Sequence, residues 1–136
     1  MSTLQEKVLN VQTSFGRCSI NPSFLEDFYS VFIKSHPSLK EIFKNTDMAA
    51  QRSLLKNGLT YMIMYAGGSG IAKNKIEKLG ESHSRAGMNI PPDLYIYWIN
   101  SLLKVIKIHD KNMTKELFED WKIVIVHGVD KMKSMY

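Results

Sequence analysis

The chain has one cysteine, four prolines and no apolar run near the roughly 20 residues that a helical bilayer span requires. A single thiol, Cys18, excludes an internal disulfide framework and any metal site built from several thiolates. The opening segment MSTLQEKVLN carries acidic and amide residues and lacks an apolar signal core. A reduced, cytoplasmic setting with no membrane span is therefore expected. Strand signals are nearly absent as well. No G-x-x-x-x-G-K-[ST] loop occurs, and Gly67–Gly70 does not follow a strand, so no phosphate cradle is implied. There is no H-E-x-x-H and no Glu-x-x-His. The four histidines (His36, His83, His109 and His127) never pair at i, i+4, which argues against zinc-protease and di-iron sites. No nucleophile elbow is present.

At 136 residues, 44% hydrophobic and 23% charged, the composition is that of one globular domain spanning 1–136. The net charge of +5 invites a nucleic-acid reading. The lysines are scattered, however, and only 73–78 and 104–111 are locally dense. Neither stretch interleaves aromatics for base stacking, so a solvated surface is expected and no nucleic-acid partner.

Helix signals dominate. Leu4, Val8, Val11 and Phe15 form one stripe. Asn21-Pro22-Ser23 with Glu26 offers Asn or Ser as a cap and a Ser-x-x-Glu box. The helix that follows carries Phe24, Phe28, Tyr29 and Phe32 and stops near Pro37. Pro37 to Phe43 has room for about two turns. Thr46 or Asp47 then opens a long helix to about Ala66, ended by Gly67-Gly68-Ser69-Gly70. Ile76, Leu79 and His83 recur at i, i+3, i+7, and Pro91-Pro92 can open a helix bearing Tyr95, Trp98, Ile99, Leu102 and Ile106. Thr114 starts a last helix with Leu117, Trp121, Ile125, Val129 and Met132. The expected class is all-α, with six to seven helices, two of them short.

Two stretches carry a resemblance. FYSVFIKSHPSLKEIF (28–43) and KLGESHSRAGMNIPPDLYIYW (78–98) are similar to segments of the globin family, in particular bacterial single-domain globins related to flavohaemoglobin globin domains and globin-coupled sensors. The similarity spans essentially the whole chain, with Tyr29, Pro37, Phe43, Gln51, His83 and Trp121 in order. It implies a globin fold enclosing a haem pocket, with haem b as cofactor.

On that resemblance His83 is the proximal residue and the metal ligand, bonding iron through one ring nitrogen. Its other nitrogen is expected to donate to a backbone carbonyl one turn earlier or to Ser82. Phe43 matches the phenylalanine that packs on the haem. Tyr29 and Gln51 match a distal pair that donates to bound oxygen, and Leu55 fills the wall beside them. The turn before this helix is two residues shorter than in the flavohaemoglobin pattern, which leaves open a register with Ala50 and Leu54 inward. Arg85, two residues past His83, can reach a haem propionate or lie solvated.

One departure bears on reaction class. Flavohaemoglobin domains are expected to place a tyrosine four residues after the matching tryptophan, supporting the proximal histidine; here that position is Ile125. Nothing in the sequence matches a flavin, NAD or sensor-output domain. The expected function is reversible binding of oxygen or another diatomic gas (NO or CO), as carrier, store or stand-alone sensor. The alternative is a nitric oxide dioxygenase served by an external reductase. A helical protein–protein module without haem is the third reading. No motif specifies an oligomeric state.

Overall fold

The computed structural model describes residues 2–136. Seven α-helices and one 3-10 turn make up its regular structure, with no strand among the described residues. In chain order they are α1 (Leu4–Ile20), α2 (Phe24–Lys34), α3 (Pro37–Phe43), α4 (Met48–Ala66), α5 (Gly70–His83), the turn Pro92–Leu94, α6 (Tyr95–His109) and α7 (Lys115–Ser134). The expected all-α class holds, with seven α-helices among the described residues, of which α3 is the shortest.

Most helix starts have a local cause. Thr3, Asp47, Ser69 and Thr114 each cap the helix that follows, their side-chain oxygens accepting from backbone N–H groups in its first turn. Loss of such a cap costs about 1 kcal/mol. The start of α2 differs from the expected Ser-x-x-Glu box. Ser23 is in a helical conformation and caps nothing with its hydroxyl. Instead Asn21 Oδ1 accepts from both the N–H and the hydroxyl of Ser23, at 3.0 and 2.9 Å. Asn21 closes an Asx turn that does the work assigned to the box. Pro91-Pro92 also falls short of opening α6 directly. Pro92 begins the single 3-10 turn, and the α-helix takes over at Tyr95.

The amphipathic faces converge on one core. α1 packs on α7, α2 on α6, and α4 and α5 pack on each other and on α7. Phe28 of α2 and Leu102 and Ile106 of α6 are fully buried. Each such aliphatic or aromatic side chain contributes roughly 1.5–3 kcal/mol of transfer free energy. Cys18 is also fully buried, and desolvation pushes its thiol up to about 12.

Where α1, α7 and the end of α6 meet, a polar network replaces apolar packing. The Arg17 guanidinium donates to both oxygens of Asp110, Nε at 2.7 Å and Nη2 at 2.9 Å. Ser14 donates to Asp110, Trp121 Nε1 donates to Ser14 Oγ at 2.9 Å, and the Asn112 N–H donates to Asp110. Burial alone would raise the Asp110 pKa, but the bonds from Arg17, Ser14 and Asn112 hold it below the ordinary carboxylate value. No helix among the described residues is long and apolar enough to cross a membrane.

Candidate functional site

The buried stripe of α5 sets the position of its last residue. α5 buries Ala72, Ile76 and Gly80, which turns its last residue, His83, toward the interior edge of the fold. The His83 ring is half-buried. Nδ1 lies 2.7 Å from the Leu79 carbonyl and 3.1 Å from Ser82 Oγ. A carbonyl accepts only, so Nδ1 carries the proton and Nε2 keeps its lone pair. Among the described residues nothing engages Nε2 by a hydrogen bond. Desolvation lowers the His83 pKa, against the opposing effect of the Leu79 bond, and favours the neutral ring. The result is a neutral imidazole of fixed tautomer with one uncommitted nitrogen.

A second polar pair comes from α2 and α4. Gln51 Nε2 donates to Tyr29 Oη at 3.1 Å, and the Tyr29 hydroxyl lies 3.4 Å from the Gln51 carbonyl oxygen. Tyr29 is 5% exposed, and desolvation pushes its phenol up to about 12. It is a hydroxyl donor throughout the physiological range. The Asp47 cap fixes the register of α4. Leu55 turns inward at 8% exposure, Leu54 stands out at 63%, and Ala50 is exposed. The register with Ala50 and Leu54 inward is thereby overturned.

Aromatic contacts join the two halves. Phe43 lies edge-on to Tyr29, with ring centroids 5.8 Å apart, and Tyr29 lies edge-on to Phe28 at 5.0 Å. Phe28 meets Trp98 at 6.2 Å; one turn before Trp98 on α6, Tyr95 faces the His83 ring at 6.5 Å. Phe43, Leu79, Ile90, Tyr95 and Trp98 all remain only partly buried against the core. An apolar wall left half-open between a free imidazole nitrogen and a hydroxyl/amide pair suits a flat, largely apolar ligand that presents a metal to nitrogen. The donor set fits a porphyrin iron held by a single histidine.

Ile125 offers His83 no hydrogen bond, and the His83 ring's polar partners are Leu79 and Ser82. Ile125 is fully buried in the core. Tyr95 of α6 lies near the His83 ring without bonding to it, its phenol pushed up to about 12 by desolvation. Only the folded path of the corner between α5 and α6 brings it there. The one signal in sequence was a polar-tipped aromatic at the head of an otherwise apolar stripe.

Some side chains lie elsewhere. The Arg85 guanidinium sits over the Tyr136 ring, 4.7 Å from its centroid, so its partner here is the end of the chain. His36 caps α3 through Nδ1, accepting from the Ser38 N–H, and His109 bridges Asn21 and Asp27. His127 stacks on Tyr65. No group of three or more metal-ligating side chains occurs among the described residues. Two surface depressions, of about 270 Å³ beside Asp120 and about 380 Å³ beside His127, border neither His83 nor Tyr29. Chemistry rather than concavity marks the site.

Comparison with known proteins agrees with this geometry. The sequence model of the Globin family matches residues 26–132. The crystal structure of PA3967 from Pseudomonas aeruginosa PAO1, described as structurally highly homologous to a human hemoglobin, is similar at a TM-score of 0.92 and 38% identity. That match covers 96% of this chain and 98% of that one. No curated protein matches the sequence.

Proposed function

The chain belongs to the globin family, and on that premise we propose that it binds haem b through His83 and holds oxygen or another diatomic gas reversibly, as carrier, store or stand-alone sensor. The observation that carries this reading is the His83 ring, with its Nδ1 proton committed to Leu79 O at 2.7 Å and its Nε2 free. Haem, when bound, would supply an iron able to take up a diatomic gas reversibly, and His83 would hold it. Attachment through thioethers has no support, since the single Cys18 is buried in the core and no C-x-x-C-H occurs.

The chain's own residues then divide the work. His83 offers Nε2 as the protein ligand. Phe43, Leu55, Leu79 and Trp98 would line the bound group and keep water from it, which strengthens every polar interaction inside. Tyr29 and Gln51 hold an O–H and an N–H donor for the gas, and each now occupies the other. A gas that becomes partly negative draws those donors to itself, whereas a weakly polarised gas leaves them paired.

Nitric oxide dioxygenation with an external reductase would use the same donors. The placement of Tyr95 at the His83 ring bears on that alternative. His83 nevertheless donates to an uncharged carbonyl and a hydroxyl rather than to a carboxylate, which gives modest electron donation. This favours reversible binding.

The test is the absorption spectrum of purified His83→Ala. It should lose stable haem, or keep it only with added imidazole. A variant with the wild-type spectrum would remove His83 from the site. Sustained nitric oxide consumption with NADH and cell extract would replace the carrier reading by the enzymatic one.

A further inference from the structure

The segment that follows α7 is fastened to the corner that follows α5. The Tyr136 hydroxyl donates to Asn89 Oδ1 at 2.6 Å, and the Arg85 guanidinium covers the ring of the same tyrosine. The corner they hold is tightly wound. The N–H groups of Met88, Asn89 and Ile90 return to the carbonyls of Ser82, Ser84 and His83 at 2.8–2.9 Å. Asn89 adopts φ 52°, a left-handed conformation that asparagine tolerates better than most residues. A Cβ at Gly87 would fall 2.3 Å from the Ser82 carbonyl oxygen, so only glycine lets the chain pass there.

The same end of α7 also bears on α5 itself. A Cβ at Gly80 would meet Met135 Sδ at 3.1 Å and Met132 Cα at 3.2 Å. Gly80 lies one turn before His83. The last turn of α5 is therefore held from both sides, by Met132 and Met135 on its flank and by Tyr136 at its exit.

We propose that Tyr136 is a positioning residue for His83, clamping the Arg85–Asn89 corner and so fixing the height and rotation of the imidazole. This rests on the reading of His83 as the iron ligand. The backbone connection is short: His83 O is itself the acceptor of the Ile90 N–H, so a corner that loosens frees the residue carrying the ligand. The energy of the clamp is one hydrogen bond plus one cation–π contact, enough to bias a local opening without holding the fold.

The experiment compares wild type with Tyr136→Ala and Tyr136→Phe in the full chain. The first readout is amide hydrogen exchange at Met88, Asn89 and Ile90 in the haem-free protein. Tyr136→Ala should exchange about tenfold faster there, the factor for a contact near one decade in equilibrium constant, with Leu102 and Val124 unchanged. Tyr136→Phe, which keeps the ring under Arg85, should fall between. The second readout is the iron–histidine stretching band of the ferrous protein, which should broaden or shift in Tyr136→Ala, together with faster transfer of haem to an acceptor protein. An unchanged corner in Tyr136→Ala overturns the clamp. A loosened corner with an unmoved band and unmoved haem transfer overturns the coupling to His83 alone. A wild-type protein with no iron–histidine band overturns the ligand reading, and the positioning role falls with it.

Discussion

Two polar clusters of this molecule stand in contrast. Around Asp110 both carboxylate oxygens have partners, Trp121 Nε1 has Ser14, and no group waits for anything. Around His83 and Tyr29 the pairing is incomplete: Nε2 is unengaged, Tyr95 lies by with only its ring in contact, and the apolar walls stay partly open. The first centres on an Arg–Asp ion pair, the second on a histidine and a tyrosine–glutamine pair. A network whose donors and acceptors cancel holds helices together, while one that leaves a lone pair and a donor over is arranged to receive something.

The comparison breaks most visibly if Asp110 is removed. Asp110→Ala should destabilise the fold by about 3 kcal/mol, near the low end for breaking a buried ion pair because Arg17 keeps a third of its side chain in water. The urea midpoint measures it, and haem affinity of the still-folded fraction should not change. Tyr29→Phe should do the reverse. Its effect on stability should stay below about 1 kcal/mol, while oxygen dissociation speeds by roughly 5- to 150-fold for a lost bond of about 1–3 kcal/mol. Carbon monoxide should respond less, and equal effects on both gases would point to access rather than hydrogen bonding.

Acid sharpens the same contrast. Asp110 has a depressed pKa in the folded state, so its contribution is fully present above the ordinary value of 3.8 and is lost as pH falls below that through the folded value. Acid unfolding followed by circular dichroism should therefore steepen below about pH 4 in wild type and less so in Asp110→Asn. The smallest effect belongs to Leu54→Ala. With that side chain in solvent, stability should move by no more than about 0.5 kcal/mol and the haem spectrum not at all. A spectral change would reopen the register of α4.

Much of this was legible locally. The stop at Pro37, the cap at Thr114 and the break after Ala66 follow from rules that act within a few residues, and the helices begin and end there. The start of α2 stood open between Asn21 and Ser23, which compete for the same turn, and only the backbone angles decide for Asn21. The Gln51 register needed one more fact, the choice of Asp47 over Thr46 as cap, which rotates all of α4. The stretch 78–98 put His83 and Tyr95 at the two ends of one corner, but the sequence could not tell how near their rings come. Twelve residues separate them along the chain, and their meeting depends on three backbone bonds and a left-handed asparagine in the corner between. Ile125 stays in the core, and among the described residues α7 gives His83 no hydrogen-bonding side chain.

The buried thiol has a practical consequence. Cys18 is the chain's only sulfhydryl, fully enclosed and kept protonated by a pKa raised to about 12. Nucleophilic attack needs the thiolate, so alkylating reagents meet an inert group while the fold is intact. Modification must then wait for an opening that exposes this face of α1, and the labelling rate becomes a clock for that opening. The same enclosure keeps native molecules from cross-linking through disulfides under oxidising conditions.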